Sequence, residues 1–334
     1  MSHSLRSLLL ASTLVVTGVV ALSPSAWADT KLKAVASFSI LGDFVSRVGG
    51  DRVEVTTIVG PNGDAHVYEP KPADAKAVAA ANVVFVNGLA FEGWLDRLVD
   101  ASGYKGTLIK TTDGIEIEKM AEEGHGHAEG EKKEVHAEGE AAHDHDKKTE
   151  GEAGHDHGES DPHAWQSAVN AQIYVKNIAT ALCAADAAGC DTYKTNAEAY
   201  IKELAALDAD IKAAVEKVPA DRRSVITSHD AFGYFEHTYG VKFLAPEGVS
   251  TESEASAKDV AKLIEQIRED KAAALFVENI SDPRLIEQIS KETGVKIGGA
   301  LFSDALSDKD GPAPTYIDMM RHNAKLLTEA MAGS

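Results

Sequence analysis

Four side chains that can bind a metal stand in loop-like positions along this sequence. They are His66, His163, His229 and Asp304. Three of them follow predicted strands, and His163 precedes a predicted helix. Ligands of open α/β sheets bind beyond the carboxyl ends of the strands, so these side chains are candidates to meet there. Imidazole nitrogen and carboxylate oxygen together suit Zn²⁺ and, less strongly, Mn²⁺ or Fe²⁺.

Spacing alone does not separate a metal site from ordinary structural roles, because the four residues lie far apart in the chain. Each histidine could be a hydrogen-bonded loop or core residue, and Asp304 alone could cap a helix. Of the other histidines, we expect His237 on the surface of a helix and His322 in a structural role on the last helix.

Short apolar runs rich in β-branched residues alternate with helical patterns on both sides of the chain. We predict strands at residues 33–40, 53–59, 83–87 and 107–110, and again at 224–227, 241–244, 274–277 and 295–297. Strands that alternate with helices of 10–15 residues favour parallel sheets. The predicted fold class is α/β, with two lobes of mainly parallel sheets flanked by helices and joined by one long linker helix.

The predicted linker helix spans residues 191–218, where apolar residues step by three and four without Pro or Gly. Such a helix would be roughly 40 Å long, enough to bridge two lobes. We therefore assign residues 29–190 to an N-terminal metal-binding lobe and residues 219–334 to a C-terminal one.

The N-terminus reads as a secretory signal peptide. Arg6 precedes an apolar stretch at residues 8–22, and a small-bulky-small tripeptide, Ala-Trp-Ala, ends at Ala28. We expect cleavage after Ala28 and a periplasmic protein. The alternative, a membrane anchor, is disfavoured because the stretch is shorter than the ~20 residues that span a bilayer. No cysteine stands at the cleavage site, which disfavours a lipid anchor there.

Composition excludes a wholly disordered chain, since 44% of the residues are hydrophobic. The formal charge of −20 disfavours nucleic acid as a partner.

Residues 121–160 form a separate, highly polar segment with thirteen acidic residues and four lysines. We expect this segment to be a disordered loop, because it cannot bury enough apolar surface to offset its ordering entropy. Its histidines, several in His-x-His pairs, are candidates for loose metal binding: His125, His127, His136, His143, His145, His155 and His157.

The two cysteines, Cys183 and Cys190, flank a short turn. Export to an oxidising compartment predicts a disulfide between them. Two free thiols and a thiolate metal site are the alternatives.

The local sequences of the four candidate ligands resemble one known family. They are GPNGDAHVYEP around His66, DPHAW around His163, TSHDAFGYF around His229 and FSDAL around Asp304. In this order they resemble the metal-specific solute-binding proteins of ABC transporters, the cluster A-I group that includes ZnuA-like and AztC-like zinc proteins. The resemblance covers nearly the whole mature chain.

The resemblance implies that these four residues bind one metal ion in a cleft between two lobes. Three imidazoles and one carboxylate favour zinc, with manganese or iron as the alternative. It further implies an ABC transporter permease with its cytoplasmic ATPase as partner, and a zinc-collecting or metal-accepting role for the histidine-rich segment. A periplasmic metallochaperone is a further possible partner, and we expect a monomer.

We expect metal capture rather than catalysis, because four protein ligands fill a tetrahedral zinc and leave little room for an activated water. Two other classes of protein remain as alternatives. One is a zinc metallohydrolase with an open coordination position. The other is a storage or adhesion protein in which the histidine-rich segment is the functional part.

Overall fold

The computed structural model of the protein describes residues 31–118, 160–270 and 272–333. Its strands form two four-stranded sheets, ordered β2-β1-β3-β4 and β6-β5-β7-β8. The first sheet contains β1 (Leu32–Phe38), β2 (Val53–Val59), β3 (Val83–Val86) and β4 (Leu108–Lys110). The second contains β5 (Ser224–Ile226), β6 (Lys242–Leu244), β7 (Ala274–Glu278) and β8 (Ile297–Leu301). Every strand pairing is parallel, which confirms the predicted fold class.

Helices connect and cover these strands, as parallel pairing requires. They are α1 (Ser39–Gly49), α2 (Pro72–Ala80), α3 (Leu95–Ser102), α4 (Ala168–Ala185), α5 (Cys190–Val215), α6 (Gly233–Tyr239), α7 (Ala257–Asp270), α8 (Arg284–Thr293) and α9 (Tyr316–Ala332). Strand β3, with the sequence VVFV, is buried at all four positions, which is typical of a parallel strand covered on both faces. None of the helices in the described ranges is long and apolar enough to cross a bilayer.

The long helix between the sheets is α5, with 26 residues. Its buried residues follow the predicted spacing: Tyr193, Ala197, Tyr200, Leu204, Leu207, Ile211 and Val215. The helix ends three residues earlier than predicted, because the chain tightens there into i→i+3 hydrogen bonds such as Val218 N–H to the Val215 carbonyl. The lobe boundaries at residues 190 and 219 remain a prediction.

One apolar core runs from the first sheet through α1, α4 and α5 to α9. Hydrogen bonds also connect these parts of the chain. The indole of Trp165 donates to the carbonyl of Ser303 at 2.9 Å, and the hydroxyl of Tyr316 donates to the carbonyl of Trp165 at 2.6 Å. The backbone N–H of Tyr316, at the start of α9, donates to the carboxylate of Asp43 on α1 at 3.0 Å. The lobes therefore share both apolar and polar contacts.

Strand β8 begins at the residue where the predicted strand ends. Two glycines follow the predicted strand, and glycine weakens strands. In the structure, the glycines let the strand lie close to its neighbours. A Cβ at Gly298 would stand 2.7 Å from the ring of Phe276, and Gly299 has φ +140°, a conformation that other residues rarely adopt.

Cys183, near the end of α4, and Cys190, at the start of α5, are joined by a disulfide. The other two alternatives for these cysteines are thereby excluded in this structure. The predicted signal peptide and the seven histidines of the polar segment, from His125 to His157, lie outside the described residues.

Candidate metal centre

The structure brings together the four residues singled out from the sequence. One potential ligand atom from each of His66, His163, His229 and Asp304 lies within 4.8 Å of the others, and all four residues are buried. His66 lies in the loop after β2, His163 shortly before α4, His229 after β5 and Asp304 after β8. Two ligands thus precede the long helix α5 in the chain and two follow it.

The separations of these atoms suit a tetrahedral metal site. Nε2 of His66 lies 3.3 Å from Nε2 of His163 and 3.1 Å from Oδ2 of Asp304. Oδ2 of Asp304 lies 3.3 Å from Nε2 of His229, and Oδ1 of Asp304 lies 3.6 Å from Nε2 of His163. Ligands bound tetrahedrally to zinc at about 2.0–2.1 Å stand about 3.3 Å from one another.

Several polar atoms of this cluster have no good hydrogen bond. Nδ1 of His229 and Oε2 of Glu278, which face each other, are buried without a hydrogen-bond partner of acceptable geometry among the described residues. The same holds for three atoms that face the other ligands, namely Nε2 of His229 and both carboxylate oxygens of Asp304. Leaving such atoms unsatisfied costs free energy. A cation between them would satisfy all three, so the residues fit a metal ion.

Charge coupling in the cluster shifts its pKa values strongly. Burial alone would lower the pKa of His163, but Asp304 and Asp161 raise it to about 9. Burial also opposes the charge of His229, yet Glu278 and Asp304 raise the pKa of His229 well above its usual value. Burial would raise the pKa of Asp304, but His163 and His229 hold it well below its ordinary value. A divalent ion therefore competes with protons for the imidazoles.

Two further carboxylates contact the far sides of two of the imidazoles. Asp161 accepts a hydrogen bond from Nδ1 of His163 at 2.7 Å. Oε2 of Glu278 lies 2.7 Å from Nδ1 of His229, and its Oε1 accepts the backbone N–H groups of Ser228 and His229. Such carboxylates orient a ligand histidine so that Nε2 faces the metal. Glu278 was not found from the sequence, although its place at the carboxyl end of β7 was a usable signal.

The loop that carries His66 is held by its own hydrogen bonds. The carboxylate of Asp64 accepts the backbone N–H of His66 at 2.8 Å, an Asx-turn. The indole N–H of Trp94 donates to the carbonyl of Ala65 at 2.7 Å. The peptide unit between Ala65 and His66 is therefore held at both its carbonyl and its N–H group.

The comparison with known proteins gives a family. A family model described as "Zinc-uptake complex component A periplasmic", ZnuA, matches residues 34–330. The chain belongs to this family. Members of the ZnuA family are extracytoplasmic substrate-binding proteins of ABC transporters rather than enzymes, and such proteins work with a membrane permease and an ATPase.

Similar proteins of the ZnuA family are named for different metals. The iron ABC transporter substrate-binding lipoprotein MtsA of Streptococcus pyogenes serotype M1 is 32% identical, over 90% of this chain and 89% of the relative. The manganese ABC transporter substrate-binding lipoprotein PsaA of Streptococcus pneumoniae is 30% identical with the same coverage. The structure of the periplasmic zinc-binding protein TroA of Treponema pallidum matches with a TM-score of 0.76 at 26% identity, over 90% of this chain and 99% of that one. Membership in the family therefore establishes metal binding but not which metal.

The remaining described histidines stand outside the cluster. His237 is exposed on α6, with Nδ1 2.7 Å from Oε1 of Glu118. His322 on α9 donates from Nε2 to the carbonyl of Ala300 at 3.0 Å. Asp304 caps no helix, since the next helix, α9, begins only at Tyr316.

Proposed function

We propose that this protein captures Zn²⁺ outside the cytoplasm with His66, His163, His229 and Asp304, and delivers it to the permease of an ABC importer driven by a cytoplasmic ATPase. The observation that carries this proposal is the convergence of four buried ligand atoms from both lobes within 4.8 Å. Family membership supports the transport role.

The choice of zinc over manganese or iron rests on the ligand chemistry. Three imidazole nitrogens and one carboxylate suit Zn²⁺, which binds such sites more tightly than Mn²⁺ or Fe²⁺ in the divalent series. Manganese is better served by oxygen ligands and six-fold coordination.

The number of protein ligands favours metal capture over hydrolysis. A catalytic zinc keeps one position open for water, whereas four protein ligands close the coordination sphere. A metallohydrolase would require one of these four residues to leave the metal.

The decisive experiment is competition for metal against a chromophoric chelator. The full chain should bind one Zn²⁺ tightly and prefer it to Mn²⁺, and His229→Ala should lose most of that affinity. His237→Ala is the matched control, because it removes an exposed imidazole outside the cluster. Unchanged zinc affinity in His229→Ala would refute the site, and tighter binding of Mn²⁺ than of Zn²⁺ would refute the choice of metal.

Export and the polar segment belong to the same proposal. We infer a periplasmic protein cleaved after Ala28, for which the mass of the exported chain is the test.

We also infer that the seven histidines from His125 to His157 collect zinc, or accept it from a metallochaperone. Deleting residues 121–160 should then slow zinc uptake at limiting metal. Unchanged uptake with a lower metal content would instead mark a segment that binds metal without consequence.

A further inference from the structure

His66 lacks the carboxylate support that the other two histidines of the cluster have. Nδ1 of His163 faces Asp161 and Nδ1 of His229 faces Glu278, both at 2.7 Å. The only carboxylate paired with His66 among the described residues is Asp304, on the metal side at Nε2. The orientation of the His66 ring must therefore come from packing.

Besides the rings of His163 and His229, the aromatic ring that packs against His66 is that of Phe91. The two ring centroids lie 4.8 Å apart with the planes at 77°, an edge-to-face contact. Phe91 makes similar contacts with Trp165 at 4.8 Å and with Phe38 at 5.0 Å, so its own position is fixed from behind. Phe91 is fully buried and forms, with His66, part of the wall of a cavity of about 480 Å³.

Phe91 stands at the end of a strained turn. Gly88, Leu89 and Ala90 all have positive φ, at 88°, 55° and 60°. For a non-glycine residue this left-handed conformation costs on the order of 1 kcal/mol or more, and it persists only where the surroundings enforce it. Two such residues in succession therefore need a specific restraint.

Glu92 supplies that restraint. Its side chain is buried, and one carboxylate oxygen accepts the hydroxyl of Ser37 at 2.6 Å and the backbone N–H of Asn87 at 2.7 Å. The other oxygen accepts the N–H of Gly88 at 3.2 Å. The carboxylate thus ties the start of the turn to β1, while its own backbone follows directly after Phe91.

We propose that Glu92 is a positioning residue for metal capture, which holds the left-handed turn at Leu89 and Ala90 so that Phe91 fixes the ring of His66. This inference rests on the proposed function, because it assumes that His66 is a ligand. Glu92 acts through the turn and the phenyl ring, because the hydrogen bonds that its carboxylate accepts come from Ser37, Asn87 and Gly88 and not from a metal ligand.

The test is a double-mutant cycle on the full chain, read as Zn²⁺ affinity at pH 7. In Glu92→Gln, the amide NH₂ would face the N–H of Gly88, so one hydrogen bond is replaced by a repulsive contact. We expect Glu92→Gln to lower affinity about tenfold, the lower end of the loss seen when a side chain that orients a ligand is removed. In a His66→Ala background the same substitution should have no further effect. Glu252→Gln, which removes an exposed charge near the same cavity, should change affinity less than about threefold.

A purely structural role of Glu92 would lower thermal stability but leave affinity per folded molecule unchanged, and that result would overturn the proposal. An equal loss in both backgrounds would also overturn it. Should Glu92→Gln fail to fold, Phe91→Leu is the deciding variant, since it removes the aromatic ring and leaves the carboxylate in place. Wild-type affinity in Phe91→Leu would refute the inference, whereas tenfold weaker binding would support it. Failure of the wild-type chain to bind zinc would instead refute the proposed function.

Discussion

Raising the pH should lower the free energy of unfolding of the metal-free protein and at the same time raise its affinity for metal. In the fold, Asp304 and Asp161 overcome the effect of burial and raise the pKa of His163 to about 9, from 6.5 in an unfolded chain. The resulting stabilisation is complete below pH 6.5 and is lost as the pH rises through 9. The difference of about 2.5 pH units, at about 1.36 kcal/mol each, corresponds to a loss on the order of 3 kcal/mol.

Metal binding should show the opposite slope. The protonated imidazole of His163 must lose its proton before Nε2 can bind a cation. Between pH 6.5 and 9, this one proton makes affinity rise by about tenfold for each pH unit. His229 adds to the slope, because Glu278 and Asp304 overcome its burial and raise its pKa as well.

The assay pairs two measurements on one sample. Thermal unfolding with a chelator present reports the metal-free stability at several pH values from 6 to 9, and metal competition over the same range reports affinity. Asp304→Asn removes the leading charge that raises the pKa of His163, so its metal-free stability should vary less with pH. A wild-type stability that stays flat or rises from pH 6.5 to 9 would refute the reasoning.

Three further predictions test other parts of the structure. Glu278→Gln should weaken zinc binding about 10- to 100-fold in a chelator competition, because His229 loses the carboxylate that orients it. The double change Cys183→Ser and Cys190→Ser should lower the free energy of unfolding by about 2 kcal/mol in urea titrations, with affinity unchanged, since the bond closes only a short loop. Removing the metal should leave the radius of gyration from solution scattering nearly unchanged, because α5 and α9 join both lobes in one core; a gross difference between the two curves would contradict this.

The four cluster residues could be found from the sequence because two signals coincided. The loops that follow β2, β5 and β8 each carry a ligand type, and the carboxyl ends of parallel strands are where such side chains can meet. The family resemblance of their local sequences then selected His66, His163, His229 and Asp304 over His237 and His322.

The supporting residues were harder to find, because their roles depend on contacts between distant parts of the chain. Glu278 and Glu92 are single acidic residues in sequence, and only the fold places one against His229 and the other beneath a strained turn. No sequence pattern signals that Leu89 and Ala90 are left-handed, since neither is a residue that favours that conformation.

Hydrogen bonds connect the lobes directly beside the ligand cluster, and this connection constrains how metal can enter. The indole of Trp165 and the amide of Gln166, which follow His163, both donate to the carbonyl of Ser303, at 2.9 and 2.7 Å. Ser303 directly precedes Asp304, so these hydrogen bonds hold the backbone near His163 close to the backbone of Asp304 without a metal ion. The loop that carries His66 is tied to the second lobe as well, because the backbone N–H of Asn62 donates to the carbonyl of Leu306 at 2.9 Å and the hydroxyl of Thr251 donates to the carboxylate of Asp64 at 2.6 Å. Binding and release should therefore proceed by small displacements of the ligand side chains rather than by separation of the lobes.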